Sequence, residues 1–205
     1  MSAMPNLDIA QPHAQSAARD GEAVEHGSPW AQGRLRVTRA AMAEVERLAV
    51  AGYLAGEEVC GYLTGPAAEA RLCDRAVAIE NMARFLHERD PKTYFQTART
   101  FFAFKERTLD AAVDGGITSG QPVKVLYHSH LDAGAYLSGI DQAVLSRGAP
   151  PRLDTGPVVL GPGPAWPIAF LVTSVRGGTG EPHCDDHKLF IWHDGAFAPS
   201  TFEIV

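Results

Sequence analysis

The sequence predicts a mixed α/β fold: a largely antiparallel β-sheet flanked by helices. Two observations predict it. Helical segments with one apolar face interleave with runs rich in β-branched and aromatic residues, the arrangement of layered α/β domains. Several of those runs lie next to each other across Gly- or Pro-containing turns, as antiparallel strands do. With 205 residues, 45% of them hydrophobic and 20% charged, the chain has the material for one packed domain plus an extension.

Residues 1–32 read as a flexible tail, because they are rich in Ala, Ser, Gly, Pro, Gln and His and carry no apolar period. The domain is expected over residues 33–205. It opens with "RLRV" as a short strand. Thr38 is a good N-cap for a helix whose apolar face is Met42, Val45, Leu48 and Ala49, and which ends near Gly52 or Gly56. "EEVCGYLTG" (57–65) reads as a strand closed by Gly65-Pro66, with "RLCDRAVAIEN" (71–81) as its antiparallel partner. Asp90-Pro91 marks a turn and "TYFQT" a short strand. "RTFFAFKERTLDAAVDGG" (99–116) reads as a helix stopped by two glycines. "QPVKVLYHSH" (121–130) is the clearest strand, with Pro at its start. Ser138 to Arg147 reads as a helix, and the Gly- and Pro-rich stretch 148–167 as a long loop. "IAFLVTSV" (168–175), "KLFIWH" (188–193) and "AFAPSTFEIV" (196–205) close the domain as strands. No internal repeat is present.

Charge and composition narrow the function classes. The net charge is -6 and no Lys/Arg run occurs, so a nucleic-acid partner is not expected. No apolar stretch is long enough to span a bilayer, so no membrane partner is expected. Asp8, Asp20 and Glu22 sit where a secretory signal avoids charge. Cys60, Cys73 and Cys184 form no CxxC pair, which favours a reducing, cytoplasmic setting over a disulfide framework.

The stretch "YHSHLDAGAYLSGID" (127–141) concentrates polar chemistry. Side chains alternate along a strand, so His128 and His130 point to one side and can reach one metal ion. A catalytic zinc site takes three protein ligands and leaves a position open. Asp141 suits the third, because the chain turns after His130 and returns as a helix. Ser138 and Asp141, three residues apart, share a face of that helix. The same four letters, Ser-Gly-Ile-Asp, also read as a helix N-terminus close to a capping box. On that reading Asp141 caps the helix, and it is expected to do one or the other and not both. The local pattern leaves both readings open.

H-x-H, seven residues, Ser, two residues, Asp resembles the motif of the JAMM (MPN-plus, JAB) zinc metalloproteases, and is most similar to their compact prokaryotic branch. Here it falls on His128, His130, Ser138 and Asp141. The family's glutamate lies on an earlier strand, in a setting like Glu58-Val59-Cys60-Gly61-Tyr62-Leu63-Thr64-Gly65. The resemblance covers about residues 34–205. It departs at Leu131, where the family usually carries proline, which is expected to alter loop shape without touching the metal.

What the resemblance implies is specific. The fold would be the JAMM/MPN layered architecture, related to that of cytidine deaminases. Zn2+ would be held by His128, His130 and Asp141. Glu58 would be the general base, and Ser138 would stabilise the oxyanion. Taken alone, Glu58 reads as a surface strand carboxylate. The substrate would be a ubiquitin-like or sulfur-carrier protein, cut after its C-terminal glycine, with an E1-like activating enzyme in the same pathway. The alternative from another class is a non-catalytic MPN-type scaffold that recognises a ubiquitin-like protein. Such scaffolds lack one or more of the glutamate, histidines and aspartate, and all four are here.

Other constellations carry less. "HCDDHK" (183–188) holds His183, Cys184, Asp185, Asp186 and His187 and looks like a second metal cluster, but between two strands it reads rather as a polar hairpin loop. "HERD" (87–90) lacks the second histidine of HExxH, and "GPGPAW" lacks the pattern of a phosphate loop. Neither H-x-E nor P-C-x-x-C occurs, which argues against deamination. Cys60 reads as a small buried hydrophobe. Tyr127 and Tyr136 read as packing residues.

Overall fold

The computed structural model describes residues 28–151 and 156–205. In chain order the elements are β1 (Leu35–Val37), α1 (Arg39–Ala55), β2 (Cys60–Thr64), β3 (Leu72–Cys73), β4 (Arg75–Ile79), α2 (Ala83–Arg89), α3 (Glu106–Thr118), β5 (Val123–Leu131), α4 (Gly139–Leu145), β6 (Ala169–Arg176), β7 (His183–His193), β8 (Ala196–Ser200) and β9 (Phe202–Ile204). Six strands form one sheet in the order β4-β2-β5-β6-β7-β8. All its pairings are antiparallel except β5 with β6. That parallel pair requires a crossover, and the crossover is the segment carrying α4. A second sheet, β3-β1-β9, is parallel throughout. The mixed, largely antiparallel sheet flanked by helices matches the expected class.

Two cores lie on opposite faces of the six-stranded sheet. One buries Phe102, Phe104, Leu109, Leu126 and Phe170 beneath α3. The other buries Leu35, Met42, Val45, Val125, Tyr127 and Leu171 beneath α1. β5 is buried along its whole length and feeds both cores by alternation. A register shift between Leu63 and Thr64 skips Lys124. This bulge resets the alternation, so that Val123 joins the same core as Leu126. The buried Lys124 ammonium donates to the carbonyls of Pro66, Glu69 and Leu72 at 2.7–2.9 Å and closes the β2–β3 turn.

Thr38 caps α1 as expected, its side chain accepting from Ala41 N, and Gly56 ends the helix in the left-handed region. Several expectations are corrected. Of the predicted tail, residues 1–27 lie outside the described residues, but Pro29–Gln32 form a 3₁₀ turn. Trp30 packs against both cores and Ala31 is buried, so the folded unit starts before residue 33. Residues 93–97 form no strand, and Ala83–Arg89 is an additional helix. The expected helix 99–116 begins only at Glu106. Phe101 and Ala103 serve one small core and Phe102 and Phe104 another, an alternation that a helix does not present. The partner of β2 breaks at Asp74, whose N–H donates to Thr64 O, so β3 joins β1 and only β4 joins β2. The polar "HCDDHK" stretch is not a hairpin loop: it is the first half of β7. The last strand splits at Thr201, and β9 crosses to the small sheet. Within 148–167, residues 152–155 lie outside the described residues, and Ala149 bridges to Val159. Among the described residues, no helix is long and apolar enough to cross a membrane.

Candidate metal centre

The site grows from the end of β5. His128 and His130 share the face of Leu126, and their exposures are 2% and 5%. Their Nε2 atoms approach to 3.2 Å. The His128 ring stacks on Phe102, with centroids 4.5 Å apart and planes at 24°. This contact uses the extended Phe101–Phe104 segment that displaced the predicted helix. His130 Nδ1 lies 2.9 Å from Gly134 O. A carbonyl only accepts, so Nδ1 carries the proton and Nε2 keeps its lone pair for a ligand. Tyr136, half exposed, meets the His130 ring edge-on with centroids 4.9 Å apart.

The third group arrives on α4. Ser138 is its N-cap, and a full capping box is present. Ser138 Oγ accepts from Asp141 N at 3.0 Å, and Asp141 Oδ2 accepts from Ser138 N at 2.8 Å. The same Oδ2 lies 3.5 Å from His128 Nε2 and 3.6 Å from His130 Nε2. Capping therefore does not turn Asp141 away from the histidines, against the expectation that it would do one or the other. A carboxylate oxygen has two lone pairs, and here one meets the backbone while the other side of the atom faces the imidazoles.

Glu58 precedes β2 and is not part of it. Its backbone is fixed at both ends: its N–H donates to Ala98 O at 2.7 Å, and its carbonyl accepts from Asn81 Nδ2 at 2.9 Å. Cys60 pairs with His128, and Ser129 N donates to Val59 O. The paired register ends at Cys60 and His128, and Glu58 lies just beyond it, near enough for the charge of Asp141 to act on it. Glu58 is 5% exposed, which overturns the surface-carboxylate reading.

The electrostatics separate the two acids. Burial, and then the charge of Asp141, hold the Glu58 carboxyl well above the usual range. Burial also opposes ionisation of Asp141, but the two imidazoles outweigh it and pull its pKa down. Burial keeps His128 below its ordinary value despite Asp141, so its ring favours the neutral, ligating form.

The donor set fits a metal. One atom each from His128, His130 and Asp141 lies within 4.8 Å of the others, and all three residues are buried. Two imidazole nitrogens and one carboxylate oxygen suit zinc, and three protein donors are the number a catalytic zinc site takes. No other such group occurs among the described residues. The His183–His187 stretch disperses instead: His187 meets Thr173 and Glu46, and Asp185 meets Arg176. Cys60 donates to Ile79 O and burial pushes its thiol up, so it is structural. Tyr127 is fully buried and donates to Val77 O, a packing role as read.

Sequence reasoning missed Asn81 and Phe102. Asn81 donates to Glu58 O and Phe101 O, and accepts from Ala83 N and Ala103 N. Asparagine at a strand end was the available signal, but its four partners lie between Glu58 and Ala103 in the chain and converge only in the fold.

The family described as prokaryotic homologs of the JAB domain matches residues 35–179. A protein of Desulfitobacterium hafniense, solved in solution, is 18% identical at a TM-score of 0.50, covering 83% of this chain and 92% of its own. A JAB1/MPN domain protein from Archaeoglobus fulgidus is 12% identical at a TM-score of 0.40, covering 82% and 99%. A protein of Salinibacter ruber is 19% identical at a TM-score of 0.40, covering 83% and 92%. No curated protein matches the sequence.

Proposed function

The chain belongs to the family of prokaryotic JAB-domain homologs, and on that premise we propose that it is a zinc-dependent peptidase or isopeptidase. The family includes metal-dependent isopeptidases and non-catalytic members. The observation that carries the catalytic reading is the buried convergence of His128, His130 and Asp141 beside a second, separately positioned acid, Glu58. A purely structural role for that many buried polar groups would be costly.

His128, His130 and Asp141 would hold the ion. Zinc bound there would polarise a carbonyl and make water nucleophilic near neutral pH. Glu58 takes the proton from the attacking water as its oxygen bonds to the amide carbon. Its raised pKa suits a group that must then return that proton to the leaving amine as the C–N bond breaks. Ser138 Oγ already accepts from Asp141 N, so its hydroxyl hydrogen is available to the developing oxyanion.

The substrate we propose is a ubiquitin-like or sulfur-carrier protein, cleaved after its C-terminal glycine. Its extended tail would add as a strand near the site. An E1-like activating enzyme would act in the same pathway. The test joins metal content to cleavage: zinc per chain is measured, and carriers extended past the terminal glycine are offered with and without a chelator. Chelator-sensitive cleavage after glycine is the expected result. Zinc without cleavage of any such carrier would favour a recognition role, and failure to bind zinc would favour a scaffold.

A further inference from the structure

We propose that Asp132, outside the ligand set, is a positioning residue that aims His130 by clamping the loop that carries Gly134; this rests on the metal-centre reading above. Asp132 follows β5 directly and has φ 56°. Left-handed backbone is uncommon for a residue with a side chain, and Asp is among those that tolerate it. Its carboxylate gathers donors from three other parts of the fold. Tyr53, near the end of α1, donates its hydroxyl to both oxygens, at 3.0 and 3.1 Å. Arg99, ahead of α3, donates to Oδ2 at 2.7 Å. Gly177 N–H, just after β6, reaches Oδ1 at 3.4 Å.

The backbone of Asp132 is held as well. Its N–H donates to Val175 O at 2.8 Å, and its carbonyl accepts from the Arg176 guanidinium. An exposed ion pair alone holds little. Here one carboxylate ties α1, the Arg99 segment and the end of β6 to a residue fixed on both sides. The next two residues complete the path. Ala133 O accepts from Ser174 Oγ at 2.6 Å, and Gly134 O accepts from His130 Nδ1 at 2.9 Å. The partner of one imidazole nitrogen sets the direction of the other, and such outer partners govern metal affinity. Asp132 thus acts on His130 through two residues of loop.

The experiment measures zinc affinity of the full chain by chelator competition, and the visible spectrum of the Co2+-loaded protein. Asp132→Ala is expected to weaken zinc binding by about 10-fold or more, the range typical of outer partners. It should also alter the Co2+ bands. Asp132→Asn keeps an acceptor for Tyr53 and Gly177 and should recover part of the affinity. Tyr53→Phe and Arg99→Gln each remove one of the side chains that donate to the Asp132 carboxylate, should weaken binding less, and decide the matter if Asp132→Ala does not fold. Val37→Ala, a buried residue of the small sheet, serves as the stability control: it should melt earlier yet bind zinc normally. Unchanged affinity and spectrum in Asp132→Ala would overturn the proposal, as would an equal loss in Val37→Ala. A wild-type chain that binds neither ion would overturn the metal-centre reading and this proposal with it. Wild-type binding with an indifferent Asp132→Ala would overturn this proposal alone.

Discussion

Asp141 and Ser138 hold each other at the start of α4: Oδ2 of Asp141 accepts the Ser138 N–H at 2.8 Å, and Oγ of Ser138 accepts the Asp141 N–H at 3.0 Å. That same Oδ2 faces both histidines. Helix cap and proposed metal ligand are one group, so folding of α4 and assembly of the site are coupled.

Asp141→Ala should therefore act twice. Zinc binding should be lost. The melting midpoint of the metal-free chain should also fall, because losing a cap costs about 1 kcal/mol, and each kcal/mol moves the midpoint by about 2–4 °C at this chain length. Asp141→Asn keeps a capping oxygen and should lose zinc affinity with less change in melting. Metal analysis and thermal melts read both effects. Full zinc occupancy in Asp141→Ala would remove this residue from the ligand set.

Glu58→Gln should keep zinc and lose turnover. It should also stabilise the metal-stripped chain at neutral pH. The folded-state pKa of Glu58 lies above its unfolded value, because of burial and then Asp141. The folded chain therefore binds the proton more tightly, and stability falls as pH rises from the unfolded value of about 4.3 through the folded one. Glutamine has no such loss. The variant's melting advantage should be near zero at low pH and grow as pH rises through that window. A wild-type rate in Glu58→Gln would end the general-base assignment.

Ser138→Ala should lower turnover by about 10²–10³, the typical effect of removing one oxyanion donor. The lost cap should cost about 1 kcal/mol of stability. Zinc stoichiometry should not change, since Ser138 lies outside the proposed ligand set. Steady-state kinetics with metal analysis separates these, and an unchanged kcat would refute the oxyanion role.

Gly61→Ala tests the packing behind the site. A Cβ at Gly61 would lie 2.2 Å from Val77 O and 2.4 Å from the Tyr127 hydroxyl oxygen. Backbone of a paired strand has little freedom to yield. A loss of about 1–3 kcal/mol in urea unfolding is expected, as for other overpacked cores. A neutral outcome would mean that β2 and β4 can separate.

Much of the site was legible because it is local. The two-residue spacing of His128 and His130 dictates a shared face on any strand. Thr38 and Ser138 announced their helices, because a hydroxyl at an N-cap satisfies an otherwise free backbone N–H. The Phe101–Phe104 run misled, since an apolar cluster followed by "KERTLD" looks like a helix start. Its alternate residues are claimed by two different cores, and only packing reveals that. The polar first half of β7 misled for a related reason. Its backbone pairs with β6 whatever its side chains, which find their own partners in Arg176, Thr173 and Glu46.

The identities and spacing of the site residues, the period-two alternation of β5 and the capped start of α4 follow from the order of the amino acids, because these depend on neighbours a few residues away. Long-range packing decided that Glu58 is buried, that one oxygen of Asp141 meets both the Ser138 N–H and the two imidazoles, and that Asp132 joins three elements. Burial, register and proton affinity depend on which distant segments meet. Glu58 and Asp141 are 83 positions apart in the chain, and only the folded sheet brings the charge of one to bear on the other.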